Sequence, residues 1–314
     1  MIEAKNEILI SPTSFGKCGN QPLDLLEKNN YEVILNPFNR KMTPSEIIDL
    51  GRDCIGIVAG VESLNATVLE SLPYLRCISR CGSGIDTVDI EKAKELNIVV
   101  KNTPYGPTRA VAELTIGLIF DTLRQISSRD RSIRNGKWNK QMGFLLKDKT
   151  VGVLGLGRIG RNVAELLLKL DARVIGSDIN PDKKWLEKTK IPLFSFDKLI
   201  KKSDILCIHV SFSSDSKYLI GEKEIASMKK DSYIVNLSRG GIVDEKALYN
   251  ALKSKHLAGA AIDVFQQEPY KGPLIELDNI VITPHIGSYA KESRLEMEIE
   301  AVENLLDVLK QQAG

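Results

Sequence analysis

The run Val151-Gly-Val-Leu-Gly-Leu-Gly-Arg-Ile-Gly160 constrains this chain more than any other stretch. An apolar strand ends in glycines spaced Gly-x-Gly-x-x-Gly, and a helix is expected from Arg158 to Leu170. Gly155 permits the sharp turn, Gly157 lets the backbone approach a pyrophosphate, and Gly160 lets helix and strand pack closely. The next expected strand, Arg173 to Gly176, leads to Asp178, where a carboxylate suits the hydroxyls of an adenine ribose. Together these features predict a dinucleotide-binding βαβ unit. The acid would repel a 2′-phosphate, so NAD(H) is expected over NADP(H), although Lys183 and Lys184 work against that preference.

At 314 residues the chain exceeds what one core usually serves, so two domains are expected. The 43 basic and 41 acidic residues leave a net charge of +2, which calls for no nucleic acid or other polyanionic partner. The richest basic stretch, Arg124 to Lys140, is diluted by Asp130 and reads as a solvated helix face or a subunit contact. Cys18, Cys54, Cys77, Cys81 and Cys207 show no Cys-x-x-Cys spacing, and their odd number beside apolar runs reads as free thiols in a reducing compartment. Neither a signal-peptide pattern nor a run of eighteen apolar residues is present, so a cytoplasmic protein with no membrane partner is expected.

The first hundred residues alternate strands with helices. Strands are expected at Ile8–Ile10, Tyr31–Leu35, Cys54–Ala59, Cys77–Ser79 and Asn97–Val100. Helices are expected at Pro22–Lys28, Thr43–Leu50, Asn65–Leu69 and Ile90–Glu95; Thr43-Pro-Ser-Glu46 is a strong helix start. A long helix at Thr108–Arg124 precedes a second series, with strands at Thr150–Leu154, Arg173–Gly176, Ile205–Val210, Tyr233–Asn236, Gly259–Asp263 and Ile280–Ile282. Ala290–Gln311 reads as a final amphipathic helix returning to the first domain. The fold class is α/β: two Rossmann-like or flavodoxin-like parallel-sheet domains flanking an active-site cleft.

Three polar residues follow the later strands. Arg239 lies in Asn236-Leu-Ser-Arg-Gly-Gly241, Glu268 in Asp263-Val-Phe-Gln-Gln-Glu-Pro269, and His285 in Thr283-Pro-His-Ile-Gly287. Groups beyond the carboxyl ends of parallel strands converge on the ligand crevice. Reducing a 2-keto acid needs a cation for the carboxylate, a proton donor for the forming alkoxide, and a group that keeps the donor charged. Arginine, histidine and glutamate suit those tasks, since a nearby carboxylate favours imidazolium. The three histidines make no zinc site, so no metal is expected.

These motifs, in this order, resemble the D-isomer-specific 2-hydroxyacid dehydrogenases, most closely the short D-3-phosphoglycerate dehydrogenases. Cys81-Gly-Ser-Gly-Ile-Asp86 and Val111-Ala-Glu113 extend the similarity across nearly the whole chain. The resemblance implies a substrate-binding domain from residues 1–101 plus 287–314 and an NAD-binding domain from residues 102–286. It implies catalysis by His285, orientation of His285 by Glu268, and substrate binding by Arg239 with the amides of Ser83 and Gly84. The implied NAD(H) contacts are Thr108, Gly155, Gly157, Arg158, Ile159, Gly160, Asp178, His209, Val210, Leu237, Asp263, His285 and Gly287, with Asp263 at the nicotinamide carboxamide. A homodimer acting on a small 2-hydroxy or 2-keto acid is implied as well.

The chain departs from the family pattern at Tyr105-Gly-Pro-Thr108, where proline takes the usual asparagine position, and in Val210-Ser211, where a proline usually follows the valine. At Ala59-Gly60 an arginine and serine of the substrate loop are replaced, leaving Arg80 and Arg52 as possible substitutes. The 3-phosphoglycerate/3-phosphohydroxypyruvate pair is the expected substrate, with glyoxylate, hydroxypyruvate or another D-2-hydroxy acid as the alternative. Glu268 argues against a formate dehydrogenase, which typically replaces that glutamate. An NAD-sensing corepressor-like binding protein is the non-enzymatic alternative. No regulatory extension is expected after the last helix.

Overall fold

Ile8, Leu9 and Ile10 are all fully buried, which consecutive residues of a strand achieve only when both faces of their sheet are covered. They belong to β1 (Glu7–Ile10) in the computed structural model, which describes residues 6–313. β2 (Glu32–Leu35), β3 (Gly56–Ala59), β4 (Cys77–Arg80) and β5 (Val99–Asn102) complete a five-stranded parallel sheet in the order β2-β1-β3-β4-β5. The chain winds outward to β2 and then returns past β1 to β3, so the winding reverses between β1 and β3. That reversal is a topological switch point.

Alternate side chains supply two apolar layers. Ile8, Ile10, Val58 and Cys77 pack with Leu26 and with Met297, Ala301, Leu305 and Leu309 of the helix Lys291–Ala313. Leu9, Ile57, Ala59 and Ile78 pack on the opposite side with Ile47, Val68 and Ala93. The helix Pro44–Gly51 starts through a reciprocal cap: Thr43 Oγ1 accepts from Glu46 N–H, and Glu46 Oε2 accepts from Thr43 N–H at 2.8 Å. The chain divides into two compact units, Met1–Pro107 with Ser288–Gly314, and Thr108–Gly287.

The second unit holds β6 (Thr150–Leu154), β7 (Arg173–Ser177), β8 (Ile205–Ile208), β9 (Ser232–Asn236), β10 (Leu257–Ile262) and β11 (Ile280–Ile282). All pairings are parallel, in the order β11-β10-β9-β8-β6-β7, and the winding reverses between β6 and β8. β8 stops at Ile208, short of the expected Val210. Its neighbour β6 ends opposite, at Leu154, before the Gly155 turn leads that chain away. His209 and Val210 therefore leave the strand and stand just beyond its carboxyl end, in the middle of the sheet.

A helix at Ile126–Arg134 carries part of the basic stretch. It is set off from Pro107–Arg124 by Gln125, whose left-handed φ of 53° breaks the ladder without the glycine that would have signalled a break. The five cysteines are free thiols. Among the described residues no helix is long and apolar enough to cross a membrane.

Candidate active site

The turn after β6 is shaped by what its glycines exclude. Gly155 has φ +87°, and a Cβ there would lie 2.6 Å from the His209 carbonyl oxygen. A Cβ on Gly160 would overlap the Gly155 carbonyl oxygen, so this glycine lets helix and turn meet. Gly157 differs, because nothing lies within 4 Å of an added Cβ. It stands at the N-cap of the helix Arg158–Lys169, and no side-chain hydrogen bond caps that end. An open glycine at a helix start without a side-chain cap suits a phosphate.

The surroundings of this glycine turn fit a dinucleotide. Asp178 follows β7; its Oδ2 accepts from Leu156 N–H at 2.5 Å and its Oδ1 from Asn180 N–H at 2.7 Å, which fixes the carboxylate beside the turn. His209 follows β8 at the switch point. Both its ring nitrogens are buried without a hydrogen-bond partner, and burial pushes its pKa down to about 4. Such orphaned polar atoms in a ligand crevice suit an additional partner.

The other predicted residues occupy three neighbouring strand ends, in register through Asn236, Ile262 and Ile282. Beyond β9, Asn236 Oδ1 accepts from Ser238 N–H at 3.0 Å and shapes the turn that presents Arg239; Arg239 Nη1 donates to Ser238 O at 2.8 Å. Beyond β10, Glu268 Oε1 accepts from Phe265 N–H at 3.0 Å. Beyond β11, His285 Nδ1 lies 2.9 Å from Glu268 Oε2 and 3.1 Å from Oε1.

His285 holds a left-handed φ of 55°, a strained conformation for a residue with a side chain. Asp263, almost wholly buried, restrains it. Its Oδ1 accepts from Thr283 Oγ1–H at 2.5 Å and Ile286 N–H at 2.8 Å, while Oδ2 accepts from Gly287 N–H at 2.8 Å. Both sides of the His285 turn are thus tied to one carboxylate. Burial raises the Asp263 pKa against the pull of these bonds. Burial also pushes Glu268 upward, but the His285 bond and charge, the Phe265 N–H and the Arg239 charge outweigh it and hold Glu268 below its usual range. An anionic carboxylate fixed on Nδ1 leaves Nε2 as the nitrogen able to exchange a proton with a ligand.

In the first unit, Ser83 and Gly84 follow β4 in a loop held from β5. Gly82 N–H donates to Thr103 Oγ1 and Asn102 Nδ2 to Ser83 O, each at 2.7 Å. Of the remaining predicted residues, Leu237 is buried just past β9 and Thr108 stands in the first turn of Pro107–Arg124. Two features escaped the sequence. One is the Asp263 clamp, visible only once β10 and β11 are known neighbours; the other is the buried acid Glu62, whose own segment carries no motif.

A glycine cradle at the switch point of a parallel sheet, with arginine, glutamate and histidine on neighbouring strand ends, defines a dinucleotide-dependent oxidoreductase domain. Residues 116–287 match the family described as D-isomer specific 2-hydroxyacid dehydrogenase, NAD binding domain. A glyoxylate reductase of Thermofilum pendens is 42% identical over 260 residues, 79% of this chain and 76% of that protein. A D-3-phosphoglycerate dehydrogenase of Archaeoglobus fulgidus is 36% identical over 92% of this chain, but the match spans only 55% of that longer protein. The crystal structure of a glyoxylate reductase from Paecilomyes thermophila superposes with a TM-score of 0.87 at 27% identity, covering 99% of this chain and 97% of that one. The chain belongs to the D-isomer specific 2-hydroxyacid dehydrogenase family, and it carries that family's NAD-binding domain.

Proposed function

We propose that this chain interconverts a D-2-hydroxy acid and its 2-keto acid, with His285 moving the proton, Glu268 orienting His285 and Arg239 anchoring the substrate. The observation that carries this reading is the imidazole–carboxylate contact of 2.9 Å on adjacent strand ends. Bound NAD(H) would supply or accept the hydride at substrate C2. Held through Nδ1, His285 gives a proton from Nε2 to the carbonyl oxygen during reduction and takes it back during oxidation. Glu268 stabilises the imidazolium, and Asp263 fixes the turn that aims it. Arg239 takes the substrate's carboxylate and carbonyl. The glycine cradle, Asp178 and His209 would hold the cofactor.

The 3-phosphoglycerate pair and the glyoxylate or hydroxypyruvate class are both supported by relatives bearing such names. A homodimer is part of the proposal, supported by exposed Ile126, Ile133, Trp138, Met142 and Leu145 in the Ile126–Arg134 helix and the segment after it. A cytoplasmic location is proposed from the five free thiols. The test is absorbance at 340 nm with NADH or NADPH and a panel of 2-keto acids, with His285→Ala as the blank. Turnover that survives His285→Ala would overturn the assignment of the proton donor; no turnover on any acid would overturn the activity.

A further inference from the structure

Within the second unit, the connections that leave the carboxyl ends of β9 and β10 meet at a single peptide. The first carries Arg239 and runs into the helix Glu245–Lys253; the second carries Glu268. A Cβ at Gly240 would lie 2.0 Å from the Phe265 carbonyl oxygen, so only glycine lets the Arg239 turn approach that peptide. The N–H of the same peptide, on Gln266, donates to Glu245 Oε1 at 2.8 Å. A peptide is planar, so holding both its edges fixes its plane. The peptide before it gives Phe265 N–H to Glu268 Oε1 at 3.0 Å, and Glu268 in turn holds His285 Nδ1.

Glu245 stands on a firm base. Ile220 N–H donates to Ile242 O and Asp244 N–H to Ile220 O, each at 3.0 Å, and both isoleucines are fully buried. Asp244 already caps the helix, its Oδ1 accepting from Lys246 N–H at 2.9 Å and Ala247 N–H at 3.1 Å. An acid in a first turn favours a helix by its charge alone, yet the Glu245 carboxylate reaches an amide of the neighbouring connection. Gln266 is gripped a second time: its Nε2 donates to Tyr218 Oη at 2.7 Å, and Tyr218 N–H donates to Gly241 O at 2.7 Å. The rings of Phe265 and Tyr270 stack with centroids 4.2 Å apart, which pins the chain on both sides of Glu268.

We propose that Glu245 is a positioning residue for proton transfer: by holding the Gln266 amide it sets the turn that places Glu268 on His285. The inference rests on the dehydrogenase reading above and adds to it a group that acts through the backbone. What the geometry asks of position 245 is an acceptor oxygen at the reach of a glutamate side chain. A glutamine supplies that oxygen without the charge; an aspartate keeps the charge but is one methylene too short.

The test compares Glu245→Ala, Glu245→Gln and Glu245→Asp with the wild type in the full chain, with rates on hydroxypyruvate and glyoxylate normalised to the number of NADH-binding sites. Glu245→Ala is expected to lower kcat by about tenfold while the KM for NADH stays within about twofold. Glu245→Gln should recover kcat to within about threefold of the wild type, and Glu245→Asp should resemble the alanine variant. The same variants are read without turnover by NMR of isotopically labelled histidine. The Nδ1–H resonance of His285, identified by its loss in His285→Ala, should move in Glu245→Ala and return in Glu245→Gln. An unmoved resonance or an unchanged kcat in Glu245→Ala would overturn the inference, as would recovery by aspartate and not by glutamine. Should Glu245→Ala fail to fold, Glu245→Asp carries the same decision. Absence of His285-dependent turnover on every acid would instead overturn the dehydrogenase reading, and the resonance would still decide whether Glu245 places Glu268 on His285.

Discussion

At the switch point of the second sheet, a helix start without a side-chain cap, an open glycine and an imidazole whose ring nitrogens have no hydrogen-bond partner lie together. At the switch point of the first sheet, the Ser11 hydroxyl, the Gly60 amide and the Glu62 carboxyl group are already bonded to one another. Both sheets reverse their winding in the same way, after their first two strands. The topology creates a crevice in each, and the residues just past the strands decide what the crevice receives. The second is left with donors that suit an anion; the first has its donors and acceptor already joined. The difference teaches that loop chemistry, and not sheet order, divides the work between the units.

The largest expected effect lies on the strand ends beside the second crevice. His285→Ala should lower kcat by about 1000-fold with NADH affinity largely retained, measured by steady-state rates and by quenching of NADH fluorescence. A parallel loss of NADH binding would mean that His285 supports the cofactor more than the proton transfer. Gly160→Ala comes next. Its methyl group would strike the Gly155 carbonyl, so a loss of about 3 kcal/mol in unfolding free energy is expected from urea titration. If that variant is as stable as the wild type, the turn is looser than its geometry states.

His209 sharpens the contrast through pH. Its ring is held neutral in the fold, with a pKa near 4, while an unfolded imidazole takes up a proton near 6.5. Between those values the unfolded chain binds more protons, so stability falls as pH drops from about 6.5 toward 4. Between pH 7.5 and 5 the cofactor-free protein should lose about 2 kcal/mol from this group, and His209→Gln should remove that part of the slope. An identical pH slope in the variant would show that the ring is not desolvated. The smallest effect is the most discriminating. Gly157→Ala meets empty space, so stability should stay within about 0.5 kcal/mol, while NADH affinity falls by about tenfold as the methyl group enters the cradle. Unchanged affinity would place the phosphates elsewhere.

Much of this molecule was legible because its signals are local. β6 and β11 begin and end where the alternation of apolar and turn residues places them, and the helix Ile90–Glu95 has its predicted bounds, with Asp89 accepting from Lys92 N–H at its start. The glycine turn and the Arg239, Glu268 and His285 motifs were readable for the same reason: each needs only a few consecutive residues to create its backbone shape and polar group. The end of β8 at Ile208 falls short of the expected Val210, since it depends on where a neighbouring strand stops, whereas the helix end at Arg124 is as expected although the left-handed residue that sets it is not glycine.

The sequence alone therefore determined the layered α/β class, the glycine turn of the NAD-binding domain and the placement of Arg239, Glu268 and His285 just past strand ends, because short-range sterics and hydrophobic periodicity encode them. Tertiary structure decided what depends on residues far apart in the chain. It joined Asp263 to both sides of the His285 turn, buried the two ring nitrogens of His209 without a partner, and brought Ser11 and Glu62 together across fifty residues of chain at a switch point that no local pattern announces. Strand pairing sets those neighbours, and pairing is a property of the whole sheet.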